Sequence, residues 1–172
     1  MNRRHTLALA LARSGLAILP LGGGWLLSGC AQREAAPDVG YTLLDGQAHQ
    51  LASLRGKVVL VNFWATSCTT CVQEMPELVA THQKFAAGAY TTLAVAMSYD
   101  PPAYVDNFAK TRGLPFGVAI DNTGAIAKQF GDVRLTPTSF LLDKRGGIVK
   151  KYVGAPDFAA LHQLITELMA EA

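Results

Sequence analysis

The run Val58-Val59-Leu60-Val61-Asn62-Phe63 restricts the fold more than any other feature of the chain. It is nearly continuous in apolar residues, with no polar alternation. A strand of that kind is covered on both faces, as in a parallel α/β sheet. The surrounding sequence alternates strand and helix signals accordingly. Tyr41 to Leu44, a turn at Asp45-Gly46, and Ala48 to Leu51 read as a small hairpin. Thr69 to about Phe85 is helical in character, with Pro76 an internal kink or break. Thr91 to Ser98 is a second buried strand. Pro101-Pro102 opens a helix that runs to about Arg112 and stops at Gly113. Val118 to Ile120 is a short strand and Gly124 to Phe130 a short helix. Ser139 to Leu142 and Ile148 to Val153, joined by Asp143 to Gly147, form a hairpin that adds antiparallel strands. A last helix runs from Pro156 to about Met169. Its Phe158, Leu161, Leu164, Ile165, Leu168 and Met169 make one apolar stripe.

The beginning of the chain has a different character. Arg3, Arg4 and Arg13 precede any acidic residue, and Leu16 to Leu27 is apolar but broken by Pro20 and three glycines. That stretch is short and glycine-rich for a membrane span, which needs about 20 apolar residues. It reads as a secretory signal over residues 1–29. Leu27-Ser28-Gly29-Cys30 resembles the lipobox of bacterial lipoproteins, in which the cysteine becomes acylated after cleavage. Arg3-Arg4 also resembles the start of a twin-arginine export signal. Residues 30–38 then read as a lipidated tether and residues 39–172 as one domain. Without the leader, 12 Lys and Arg stand against 13 Asp and Glu, a net charge of −1. No basic face remains to argue for nucleic acid. The 143 residues from Cys30 onward suit a single domain with its own core.

With Cys30 assigned to lipid, one cysteine pair remains, Cys68 and Cys71. Cys68 falls at a strand-to-helix junction and Cys71 one turn into the helix. Unpaired N–H groups and the partial positive charge of a helix start both stabilise a thiolate. Cys68 is therefore expected as the exposed, acidic, attacking sulfur and Cys71 as the resolving one. Trp64 precedes the pair, where a large ring can shield the sulfurs. Thr136-Pro137-Thr138 precedes a strand, where a rigid proline can line the site. Glu74 follows Cys71 by three residues on a neighbouring face.

These motifs resemble the TlpA/ResA-like, membrane-anchored branch of the thioredoxin family. The resemblance rests on Val61 to Cys71, on Glu74-Met75-Pro76, and on Thr136 to Asp143, and it extends from about Val39 to the C-terminus. It implies a thioredoxin fold: a central mixed sheet flanked by helices, with an N-terminal hairpin and a helix-strand insert over Tyr99 to Ile120. It also implies a cis Thr136-Pro137 bond and an extracytoplasmic protein dithiol–disulfide oxidoreductase that needs no cofactor. The implied partners are disulfide-containing client proteins of the cytochrome c or copper-site type, a membrane thiol-disulfide electron donor, and the bilayer through the lipid. The chain is expected to be a monomer facing the periplasm.

The chain departs from the family pattern at Ser67, Thr69 and Thr70, where an aromatic residue and a proline are usual. The two threonine hydroxyls either hydrogen-bond a thiolate or face solvent. Asn62 stands where cytosolic thioredoxins keep a buried Asp, which leaves Glu74 as the nearest titratable group or as an ordinary exposed helix carboxylate. Three other readings of the pair stand beside it. A structural disulfide closes too small a loop to constrain the unfolded chain much. A copper or zinc carrier would need more ligands than His49, His82 and His162 supply in paired spacing. A thiol peroxidase needs a pocket that activates one cysteine for attack on an O–O bond.

Overall fold

A computed structural model describes residues 33–171 of the protein. The leader over 1–29, Cys30, and the first residues of the tether lie outside the described residues. No helix among those described is long and apolar enough to cross a membrane.

Seven strands and four helices follow one another. β1 (Gly40–Thr42) and β2 (Ala48–Gln50) form the expected hairpin, and a 3-10 turn covers Leu51–Leu54. β3 (Val58–Trp64) leads into α1 (Thr69–Phe85), and β4 (Tyr90–Ala96) into α2 (Pro102–Arg112). β5 (Gly117–Ile120), α3 (Ala125–Gln129), β6 (Thr138–Leu142), β7 (Ile148–Val153) and α4 (Phe158–Ala170) complete the fold. The main sheet has the order β5-β4-β3-β6-β7. β3, β4 and β5 run parallel, while β6 and β7 are antiparallel to their neighbours.

β3 is the central strand, and all seven of its residues are buried. Successive side chains of a strand point to opposite faces, so β3 feeds two cores. Val59, Val61 and Phe63 join Ile126 and Ala127 of α3, Phe130 at its C-cap, and the hairpin's Tyr41 on one side. Val58, Leu60 and Trp64 join Met75 and Leu78 of α1, Val105 of α2, and Leu161, Ile165 and Leu168 of α4 on the other. This double burial is why the run has no polar alternation.

Local signals set the helix ends. Gly113 closes α2 in the left-handed region, at φ 58°, which costs a glycine little. α1 continues unbroken through Pro76, so the expected kink or break does not end the helix. The α4 start lies slightly later than Pro156, because Asp157 is the cap. Its carboxylate accepts from the N–H groups of Ala159 at 2.9 Å and Ala160 at 3.1 Å.

From Arg33 onward, the segment expected as a tether is docked on the domain. Ala36 N–H donates to Gly146 O at 2.9 Å, and Ile148 N–H donates to Glu34 O at 2.7 Å. Arg33 reaches Asp143 at 2.9 Å and Glu171 at 2.8 Å. Ala36 and Val39 are buried. Residues 33–38 are therefore docked along the turn between β6 and β7. They carry few hydrophobic side chains because backbone hydrogen bonds do much of the docking.

Removing the α4 cap gives a direct check on this architecture. Asp157→Ala is expected to lower unfolding free energy by about 1 kcal/mol, read from urea titration, with disulfide exchange unchanged.

Candidate active site

The site lies where β3 ends and α1 begins. Cys68 is the N-cap residue of α1 in extended conformation, and its Sγ accepts the Cys71 N–H at 3.2 Å. The position is one usually held by Ser, Thr, Asp or Asn, whose oxygen takes an orphan helix N–H. Cys68 and Cys71 are joined as a disulfide, with Cα atoms 5.2 Å apart. Cys68 is partly exposed, whereas Cys71 is wholly buried against the core. Only one sulfur is thus open to an incoming partner. Thr69 and Thr70 are exposed, and neither makes a hydrogen bond to a sulfur among the described residues.

Trp64 is completely buried, its ring 5.1 Å from that of Phe108. It shares a cluster with Cys71 and Cys68, so it backs the pair from inside the core rather than covering it from solvent. Thr136-Pro137 is a cis peptide. Pro137 O accepts from Gly154 N–H at 2.8 Å, and Thr136 Oγ1 shares a hydrogen bond with the Tyr99 hydroxyl at 3.3 Å. The loop is therefore held from β7 and from the segment after β4.

Glu74 is not an exposed helix carboxylate: only 4% of it is accessible. Its place three residues after Cys71 turns it toward β3, where Asn62 Nδ2 donates to its Oε1 at 2.9 Å. The same Nδ2 donates to Ser139 Oγ on β6 at 2.9 Å. Glu74 Oε2 and Asn62 Oδ1 find no partner among the described residues. Burial raises the Glu74 pKa from 4.5 to about 7, against the smaller downward pull of the Asn62 amide. The carboxyl thus titrates near neutrality while sharing a helix face with Cys71.

Sequence reading gives Asp100 no role, yet it holds the loop that carries the pair. Its buried carboxylate accepts from Thr66 N–H at 2.6 Å and from Thr66 Oγ1 at 2.5 Å. An acid before two prolines looks like a loop residue, and its partner lies 34 positions away. His49, His82 and His162 are not brought together. His162 sits between Thr81 and Lys84, at 2.8 and 3.3 Å, and no group of three metal-ligating side chains occurs among the described residues.

Comparison with known proteins places this geometry. The Redoxin family model matches residues 31–165. The chain is 35% identical over 135 residues to the thiol-disulfide oxidoreductase ResA of Bacillus thuringiensis subsp. konkukian, covering 78% of this chain and 77% of that one. The crystal structure of a thiol:disulfide interchange protein of the thioredoxin family from Chlorobium tepidum TLS superposes with a TM-score of 0.74 at 28% identity, over 81% of this chain and 99% of that one. An exposed lipoprotein thioredoxin from Streptococcus pneumoniae strain TIGR4 superposes with a TM-score of 0.67 at 28% identity, over 77% and 100%.

Glu74 ties stability to pH. An acid whose folded pKa lies above its unfolded value costs nothing below the unfolded value. It destabilises the fold progressively as pH rises through the folded value. Stability is therefore expected to fall between about pH 4.5 and pH 7 by this term. Glu74→Gln is expected to remove that slope and to gain on the order of 1–3 kcal/mol at pH 8, measured by urea midpoints at pH 5 and pH 8.

Proposed function

The chain belongs to the Redoxin family and is a thiol-disulfide oxidoreductase, and on that premise we propose that it reduces disulfides in client proteins outside the cytoplasm through the Cys68–Cys71 couple. The observation that carries this reading is the asymmetric pair: a disulfide at the start of α1 with one sulfur accessible and the other buried.

The cycle starts from the reduced dithiol. The Cys68 thiolate, held by the Cys71 N–H and the partial positive charge of the α1 start, attacks one sulfur of a client disulfide. A bond forms between Cys68 Sγ and that sulfur, and the other client sulfur leaves as a thiolate. Cys71 then loses its proton and attacks Cys68 Sγ. The Cys68–Cys71 disulfide closes, and the second client thiolate departs. Two electrons have passed to the client. A membrane dithiol donor restores the pair by the reverse exchange.

Glu74 is the group placed to take the Cys71 proton. Its Oε1 is occupied by Asn62, so the proton resides on Oε2. A pKa near 7 lets the carboxyl both accept and release a proton at neutral pH. Trp64 excludes water from the buried sulfur, and the Thr136-Pro137 loop lines the side on which the client chain lies. Clients of the apocytochrome c or copper-site type fit a reductant of this design.

Residues 1–29 act as the export signal, and Cys30 carries the lipid that anchors a monomeric, periplasm-facing domain. The similarity to an exposed lipoprotein thioredoxin supports that placement. The scatter of His49, His82 and His162 among the described residues favours exchange over metal delivery, and the Trp64 to Cys71 context favours it over peroxide reduction.

Two variants test the roles. Cys71→Ser is expected to accumulate mixed disulfides through Cys68, visible on non-reducing gels, while Cys68→Ser traps none and loses exchange. Trapping by Cys68→Ser instead reverses the assignment. Cys30→Ala is expected to abolish the acyl mass of the mature protein and release it from the membrane fraction, whereas an unacylated wild type refutes the anchor.

A further inference from the structure

Asp100 is a carboxylate buried beside the redox loop with no cation to match it. Only 2% of it is accessible, and it belongs to no ion pair among the described residues. A charge so placed costs stability unless something offsets it. Two features do. Thr66 donates its N–H at 2.6 Å and its hydroxyl at 2.5 Å. Asp100 also stands one residue before Pro101, the N-cap of α2, where the positive end of a helix favours an anion. Accepting at both oxygens is what an ionised carboxylate does.

The carboxylate has little freedom to swing away. Asp100 N–H donates to Met97 O at 2.9 Å, and Met97 N–H donates to Trp64 O at 2.9 Å, which ties the segment to the end of β3. The neighbouring Tyr99 hydroxyl bonds Thr136 in the cis-proline loop at 3.3 Å. The loop that Asp100 grips is short. Cys68 N–H donates to Ala65 O at 3.1 Å, so residues 65–68 make one tight turn. The Cα atoms of Thr66 and Cys68 are then at most about 7 Å apart. The other charged groups around the pair are already engaged. Glu74 of α1 is held by Asn62, Arg112 of α2 lies over the Phe108 ring at 5.6 Å, and Arg134 before the cis-proline is paired with Asp132.

Holding the loop does not require an acid. An asparagine would offer its oxygen to the Thr66 N–H and its amide to the Thr66 hydroxyl, and would cost less to bury. What the carboxylate adds is charge, close to an atom whose own charge changes in the reaction. When two electrons enter the Cys68–Cys71 bond, the sulfurs part. Cys71 takes a proton, and Cys68 keeps the negative charge as its thiolate. The disulfide carries no charge, so a fixed anion nearby disfavours the reduced form alone.

We propose that Asp100 is a positioning residue whose charge makes the Cys68–Cys71 couple more reducing. A helix start by itself draws a pair toward the oxidant side, because it stabilises the reduced form. Asp100 offsets part of that pull and leaves the contact between Cys71 N–H and Cys68 Sγ in place. The proposal rests on the exchange cycle of the proposed function and names what biases its direction.

The test separates charge from shape. Potentials of the wild type, Asp100→Asn and Asp100→Glu are read by equilibration with glutathione at pH 8. The Cys68 pKa is read from alkylation rate against pH, and urea midpoints show that each protein is folded. Asp100→Asn can keep both contacts to Thr66. Its Cys68 pKa is expected to fall by roughly one unit. Its equilibrium constant for reduction by glutathione is expected to rise about tenfold, or about 30 mV. Asp100→Glu keeps the charge on a longer arm, and its values are expected to stay nearer the wild type. Asp100→Ser, a second neutral acceptor, carries the same expectation as Asp100→Asn, so a folding failure of one leaves the other to decide. Values that follow shape instead, with Asp100→Asn matching the wild type and Asp100→Glu displaced, overturn the proposal. A wild-type couple that glutathione keeps reduced refutes the reductive direction of the proposed function. The difference between wild type and Asp100→Asn decides the role of Asp100 wherever that value falls.

Discussion

The first turn of α1 is capped by a sulfur. The Cys71 N–H that would otherwise be an orphan donor points at Cys68 Sγ, and much of the chemistry depends on that contact. A helix start needs an acceptor at this position. Supplying a cysteine satisfies the helix and puts a fixed donor and a partial positive charge on the atom that the proposed cycle makes a thiolate. Structural and chemical demands coincide at one atom. β3 makes this possible, because its burial on both faces fixes where the strand stops and the helix starts. Asp100 fixes the intervening loop through Thr66.

The second element is the polar pocket beneath the pair. Asn62, Glu74 and Ser139 come from β3, α1 and β6 and meet inside an otherwise apolar layer. Burying a carboxyl there costs stability whenever it is ionised. The fold accepts that cost on the helix face shared with Cys71, where the proposed cycle calls for a group that titrates near neutrality. On the proposed cycle, a neutral side chain at Glu74 makes a more stable protein and a slower one. This is the usual relation between a strained site and its function.

Much of the fold was legible in the sequence because local signals and tertiary context agree. The unbroken apolar run gave β3, and the bounds Thr69 to Phe85 coincide with α1. Gly113 and the Asp143 to Gly147 turn mark element ends by backbone geometry that other residues adopt at a cost. The cysteine pair and the proline loop were legible through their motifs. Glu74 was only half legible. Helical spacing allowed it to face the core with Cys71 and Met75, but a charged residue is rarely buried without a partner, and the partner lies on another strand. Asp100 was silent for the same reason. The docking of residues 33–38 had no signal in the sequence beyond a short tether, because the backbone hydrogen bonds of Glu34 and Ala36 leave no side-chain signature. The leader and Cys30 lie outside the described residues, so their reading rests on composition and motif.

The central claim is that Cys68, activated by the α1 start, is the attacking sulfur. The most direct measurement is the pH dependence of alkylation in the reduced protein, with peptide mass identifying which cysteine reacts first. The account expects Cys68 to be labelled first, with an apparent pKa below the free-thiol value of about 8.5. Labelling of Cys71 first, or a Cys68 pKa at or above that value, would contradict it.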